Sequence, residues 1–151
     1  MTTLAYSRSE NIIAVDSRIT SGDIVQSDTC SKWLEDETGV YFTIGSLSDA
    51  KIMYEMIRDG ETKPPNDQEL EANIIFASNP PLLYGVSDGH LFSDRMSDAE
   101  FATYGSGSHF ALAALDLGVK CKQAVLQAMK RDIYSGGKVV QYDITKQKFK
   151  K

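Results

Sequence analysis

The chain is predicted to fold as an α+β protein, rich in antiparallel strands arranged in layers. Short apolar runs of strand length stand on either side of polar turns, and apolar residues switch to helical spacing in only a few stretches. Those stretches are grouped: the order runs strands, helix, strands, two helices, strand. A parallel sheet would instead alternate strand and helix one by one. At 151 residues the chain has length for one buried core and is short for two, so a single domain over 1–151 is expected.

Residues 2–7 read as a first strand and Ile12–Asp16 as its hairpin partner across the polar turn Arg8–Asn11. Chain ends normally fray, so a strand that starts at residue 2 would fix the N-terminus in space. The stretch 16–23 is polar. A second hairpin pairs Cys30–Leu34 with Val40–Ile44 around Glu35–Gly39. Ile52, Met53, Met56 and Ile57 share a helical face, with capping residues Ser46–Asp49 before them and Gly60 as the stop. Pro64-Pro65 and a short charged piece form a connector. Ile74–Ser78 and Leu82–Val86 are strands broken by Asn79-Pro80-Pro81, and the turn Ser87–His90 leads into Leu91-Phe92. Phe101–Tyr104 is one more strand, ending in Gly105-Ser106-Gly107-Ser108. Helices follow over about His109–Leu117 and Lys120–Ile133, the second with Cys121, Ala124, Val125, Ala128 and Met129 on one face. Tyr134-Ser135-Gly136-Gly137 breaks it before a last strand, Val139–Ile144, and a basic tail expected to be solvated.

A net charge of −5 leaves no electrostatic footprint for nucleic acid. No apolar run approaches the roughly 20 residues of a membrane span, and no secretory signal opens the chain, so a cytoplasmic protein without a membrane partner is expected. Cys30 and Cys121 form no CxxC pair and are expected to be reduced; His90 and His109 have no second ligand at metal spacing. Neither a metal nor another cofactor is expected.

The candidate chemistry starts at Met1-Thr2-Thr3. Removal of Met1 would leave Thr2 with a free α-amine beside its own hydroxyl, a nucleophile with a built-in base. An α-amine titrates near pH ~7.7–8.0, so a useful fraction is neutral at physiological pH. Met-Thr-Thr is also a common way to begin a polypeptide. Polar residues at strand ends and glycine-rich breaks are equally open to dull explanations: Asp16 as a turn residue, Lys32 as a surface lysine, Ser106 in a helix-start loop, Ser135 in a helix stop.

Taken in order, Thr2-Thr3, Ala14-Val15-Asp16-Ser17-Arg18-Ile19-Thr20-Ser21-Gly22, Ser31-Lys32, Gly45 with Asp49, Tyr104-Gly105-Ser106-Gly107-Ser108 and Arg131-Asp132-Ile133-Tyr134-Ser135-Gly136-Gly137 form a known pattern. Over nearly its whole length the chain resembles the proteasome β-subunit family, including the bacterial HslV-type peptidase, which are N-terminal threonine hydrolases. The resemblance implies a four-layer α-β-β-α sandwich of the Ntn-hydrolase type, two antiparallel sheets with helices outside. One outer helix is shortened here, to the Pro64-Pro65 connector.

The resemblance also implies roles. Thr2 would be the nucleophile, its amine the proton acceptor. Lys32 would be the buried ammonium that favours the deprotonated hydroxyl, and Asp16 the carboxylate that aims it. Ser106, Asp132 and Ser135 would orient the amine and a water, and the Gly45 amide would donate to the oxyanion. Ile19, Cys30, Leu34, Thr43 and Leu47 would line a pocket for an uncharged side chain, and Thr20 and the segment Ser46-Leu47 would bind substrate backbone as an added strand. For the apolar positions core packing is an equal alternative. Methionine removal alone is expected to mature the site. The implied function is a threonine peptidase acting on peptides or unfolded proteins in a homo-oligomer, with an ATPase unfoldase as a further partner. An amidohydrolase of small amides and a catalytically idle scaffold are the rival readings.

Overall fold

The computed structural model describes residues 1–96 and 98–151. The described residues form a mixed α/β chain with antiparallel sheets and three α-helices, and they divide into two compact units, Met1–Lys32 with Ser97–Lys151, and Trp33–Met96.

In the first unit, β1 (Thr3–Ser7) and β2 (Ile12–Val15) form the expected hairpin, with Leu4 opposite Val15 and Ser7 opposite Ile12. Asn11 takes the left-handed conformation that its turn needs and that asparagine tolerates. β1 also pairs with β10 (Phe101–Gly105), β2 with β11 (Val140–Asp143), and β11 with β12 (Lys148–Phe149), giving the order β10-β1-β2-β11-β12. Helices α2 (Ser108–Asp116) and α3 (Cys121–Met129) pack on β1, β2 and β10. The contact is built from small side chains: Ala5 and Ala14 of the sheet meet Ala111, Ala114, Ala124 and Ala128 of the helices, around Leu115 and Val125. Alanines on both surfaces let helix and sheet approach closely. Glu10 Oε2 accepts the Cys121 amide at 2.9 Å and so caps α3 from a distant turn.

In the second unit, β5 (Trp33–Asp36), β6 (Gly39–Gly45), β7 (Ala72–Phe76), β8 (Leu82–Ser87) and β9 (His90–Arg95) form an antiparallel sheet in chain order. Helix α1 (Leu47–Asp59) packs on β6 and β7, burying Met53 against Tyr41 and Ile74. Its ends are those expected: the Ser46 hydroxyl accepts the Asp49 amide, and Gly60 closes the helix at φ +73°.

Several boundaries differ from expectation. The polar stretch 16–23 and the residues after it hold a two-stranded ribbon, β3 (Ile19–Ser21) and β4 (Ile24–Ser27). Ile24 and Val25 are exposed there, so no buried face leaves an alternating pattern in the sequence. Strand β5 starts at Trp33 instead of Cys30, and α3 ends at Met129, four residues short of Ile133. The Pro64-Pro65 connector holds a single tight turn, Pro65–Asp67, with Asn66 and Asp67 in the left-handed conformation. The basic tail contributes β12 (Lys148–Phe149), drawn onto β11 by an edge-to-face pair of the Phe149 and Tyr142 rings at 5.0 Å. Among the described residues no helix is long and apolar enough to cross a membrane.

Because Met53 is fully buried in the second unit's core, Met53→Ala is expected to cost about 2–5 kcal/mol. Urea denaturation checks this, with the midpoint falling at an unchanged slope.

Candidate functional site

Asp16 follows β2 and is 1% exposed. A carboxylate so deep must have its oxygens satisfied, and it accepts four hydrogen bonds. Oδ1 takes the Thr3 amide at 2.9 Å and the Lys32 ammonium at 2.8 Å; Oδ2 takes the Gly136 amide at 2.9 Å and the Arg18 amide at 3.3 Å. Lys32 is 2% exposed, and its Nζ also donates to the Met1 carbonyl at 2.8 Å. Burial pulls the Lys32 ammonium below the ordinary lysine range, and Asp16 opposes that pull. The Met1 α-amine is lowered in the same way, first by burial and then by the Lys32 charge, while Asp16 and Asp132 work against it.

A second cluster lies at the end of α3 and the start of α2. Ser106 and Ser135 each donate to Asp132 Oδ2 at 2.6 Å. Ser135 has one hydroxyl proton and gives it to the carboxylate, so the 2.6 Å contact between Ser135 Oγ and Thr3 Oγ1 has Thr3 as its donor. The relay therefore runs from the Thr3 hydroxyl through Ser135 to Asp132. Among the described residues, none of these hydrogen bonds involves the Thr2 hydroxyl, although Thr2 is itself 4% exposed. The glycines of Gly105-Ser106-Gly107 have a reason in the same place. A Cβ on Gly105 would lie 1.8 Å from the Thr2 carbonyl, and one on Gly107 would lie 2.0 Å from Thr3 Oγ1. The loop approaches the N-terminal segment too closely for any side chain.

Of the residues singled out in the sequence, Thr2, Asp16, Lys32, Ser106, Asp132 and Ser135 all fall in the first unit. Ile19 and Thr20 lie half-buried on the β3–β4 ribbon, at a bulge between them, and Cys30 lies half-buried just after it. The others belong to the second unit. Gly45 ends β6 at φ +89°, where a Cβ would meet the Glu71 carbonyl at 2.5 Å. Leu34 packs on the core around Tyr41, Met53 and Ile74, and Leu47 opens α1 partly exposed. Thr43 is 4% exposed, and its hydroxyl has no hydrogen-bond partner among the described residues.

The sequence reading assigned no role to Thr3, Ser17, Arg18 or Asp28, and the structure ties all four to the cluster. Arg18 forms a two-pronged pair with Asp28, at 2.7 and 3.1 Å, and donates to the Ile133 carbonyl. Ser17 donates to the Asp28 carbonyl and accepts the Lys138 amide at 2.7 Å. Segments 16–18, 28–30 and 133–138 are thereby laced together around Asp16. The runs Asp16-Ser17-Arg18 and Ser135-Gly136-Gly137 were the available signal, since short polar and glycine runs at strand ends mark backbone held by side chains. Among the described residues no group of three or more His, Cys, Asp or Glu converges to hold a metal ion.

No family model matches the chain. Among curated proteins the chain is similar to the proteasome subunit beta type-5 of Gallus gallus, 27% identical over 183 aligned positions that cover 95% of this chain and 70% of that protein. This distant likeness extends along almost the whole sequence and favours a proteasome-β-like protein.

Asp16→Asn would leave a buried ammonium without its counter-charge, a change that costs about 3–5 kcal/mol. The sign with pH follows from proton uptake. Without the carboxylate the folded Lys32 falls further below the unfolded lysine, so between that lowered value and about 10.4 the unfolded chain binds more protons and stability rises with pH. Denaturant melts of both proteins from pH 7 to 10 are expected to show the deficit of Asp16→Asn shrinking as pH rises.

Proposed function

We propose that the protein is a threonine-type peptidase whose nucleophile is the Thr2 hydroxyl after removal of Met1. The supporting observation is the hydrogen bond from the buried, Asp16-paired Lys32 to the Met1 carbonyl. That carbonyl is one amide bond from the Thr2 nitrogen. Covalent geometry therefore holds the Thr2 nitrogen within about 5 Å of Lys32 Nζ. Loss of Met1 removes one of the ammonium's two acceptors and leaves, beside it, a free amine and a hydroxyl on one residue. The positive charge of Lys32 then favours the neutral amine and a developing alkoxide.

In the reaction, Thr2 Oγ attacks the carbonyl carbon of the scissile peptide bond while its proton passes to the α-amine, directly or through one water. The C–N bond then breaks, the amine's proton goes to the departing amino group, and an ester on Thr2 remains. Water, giving its proton to the same amine, hydrolyses that ester and restores the hydroxyl. Asp16 keeps Lys32 charged and aimed, and Ser106, Asp132 and Ser135 order the surroundings of the amine. Gly45 as oxyanion donor, and Ile19, Thr20, Cys30, Leu34, Thr43 and Leu47 as substrate contacts, belong to the same proposal. So do the single four-layer α-β-β-α domain, kinship with the HslV-type branch, a cytoplasmic homo-oligomer, and an ATPase that would feed it.

The alternative reading is a catalytically idle scaffold, in which Met1 stays in place, its carbonyl continues to accept from Lys32 and the first residue carries no hydroxyl. The two readings separate by intact mass and turnover. Loss of 131 Da, about the mass of one methionine residue, together with hydrolysis of unfolded casein or fluorogenic peptides is expected, and Thr2→Ala is expected to lower kcat at least about a thousandfold. Full retention of Met1 with no turnover supports the scaffold.

A further inference from the structure

We infer that Thr3 is a positioning residue that joins the Asp16–Lys32 pair to the Ser106–Asp132–Ser135 relay and so sets which atoms of the N-terminal segment face Lys32. The role in catalysis rests on the peptidase reading; the role in positioning stands on geometry. Thr3 is fully buried. Its amide donates to Asp16 Oδ1, the same oxygen that receives Lys32, and its hydroxyl donates to Ser135, which donates to Asp132. Main chain and side chain of one residue thus hold the strand at two points, on two carboxylate clusters that no other side chain bridges among the hydrogen bonds described.

Two points are what register requires. A strand held only through its amides can slip, and a one-residue slip turns every side chain to the opposite face. At the N-terminus such a slip would exchange the places of residues 1 and 2 relative to Lys32. The Thr3 hydroxyl resists it, because its seat is built to size: Ser135 lies 2.6 Å away on one side, and Gly107 leaves the room that a methyl group would take on the other. Serine at position 3 keeps this hydrogen bond. Valine keeps the shape and the amide but leaves Ser135 Oγ without a donor.

The test compares Thr3→Val and Thr3→Ser with the unaltered protein, the N-terminal residue of each being fixed by intact mass. NMR titration of the α-amine needs no activity. The charged groups facing the Met1 amine are Lys32 before β5, Asp16 after β2 and Asp132 after α3, and the Thr2 nitrogen that takes its place once Met1 is lost lies within about 5 Å of Lys32 Nζ. In the unaltered protein and in Thr3→Ser the amine is expected to titrate below the ordinary range of about 7.7–8.0. In Thr3→Val it is expected to move up toward that range as the terminus leaves its buried seat. The kinetic arm expects kcat to fall at least tenfold in Thr3→Val with KM within threefold, the alkaline shift of the amine appearing in the pH–rate profile, and Thr3→Ser to remain within threefold. An unchanged amine titration in folded Thr3→Val overturns the proposal, as does a Thr3→Ser variant no better than valine. If the valine variant does not fold, Thr3→Ala, which removes the hydroxyl without adding bulk, is held to the same outcomes. Absence of peptide hydrolysis in the unaltered protein counts against the peptidase reading alone, since the amine titration still decides the role of Thr3.

Discussion

The first unit depends on the charge of Asp16. A carboxylate taken out of water is costly, and this one is stabilised only because four donors from separate parts of the chain meet it: the Thr3 amide, the Lys32 ammonium, the Arg18 amide and the Gly136 amide. Each donor is fixed in turn by structure around it. Gly136 is held by the lacing of 133–138 to Ser17 and Arg18, and Thr3 by the pairing of β1 with β2 and β10. The charge therefore acts as a fixed point toward which an N-terminus, two loops and a lysine all converge.

That convergence accounts for a terminus that does not fray. Residues 2–7 are buried to the last one, although chain ends ordinarily hold little structure. Apolar burial of Leu4, Ala5 and Tyr6 secures the strand's middle; its first residue, Thr3, is secured by polar bonds instead, to Asp16 and Ser135. Polar fixing is directional where hydrophobic burial is not. It suits a segment whose exact register, more than its stability, matters to the chemistry beside it.

The sequence made the fold class and the hairpin β1–β2 legible because both faces of those strands are buried and the turn between them is polar. The helices were legible from a one-sided pattern, through the stripe of Ala124, Val125 and Ala128 and the caps of α1. The β3–β4 ribbon was not, since its apolar residues face solvent and leave no alternation. Of the site, Asp16 and Lys32 could be named through a family pattern, but nothing in composition or spacing says that a lysine is 2% exposed or which atoms it meets. Thr3 stayed hidden for a different reason. A threonine beside another threonine has no distinguishing pattern, and only Gly107, which has no room for a Cβ beside Thr3 Oγ1, records how closely that residue is approached.

The central claim is that the hydroxyl of Thr2, freed by loss of Met1 and attended by Lys32, is a nucleophile. A strained β-lactone tests it most directly, because ring opening by a hydroxyl adds the whole reagent as an ester and releases nothing. Incubation at pH 7.5 followed by peptide mapping is predicted to find one stoichiometric adduct, on the N-terminal Thr2 peptide, absent from Lys32→Ala. A processed, folded protein that remains unlabelled, or that is labelled elsewhere with Thr2 untouched, would contradict the account.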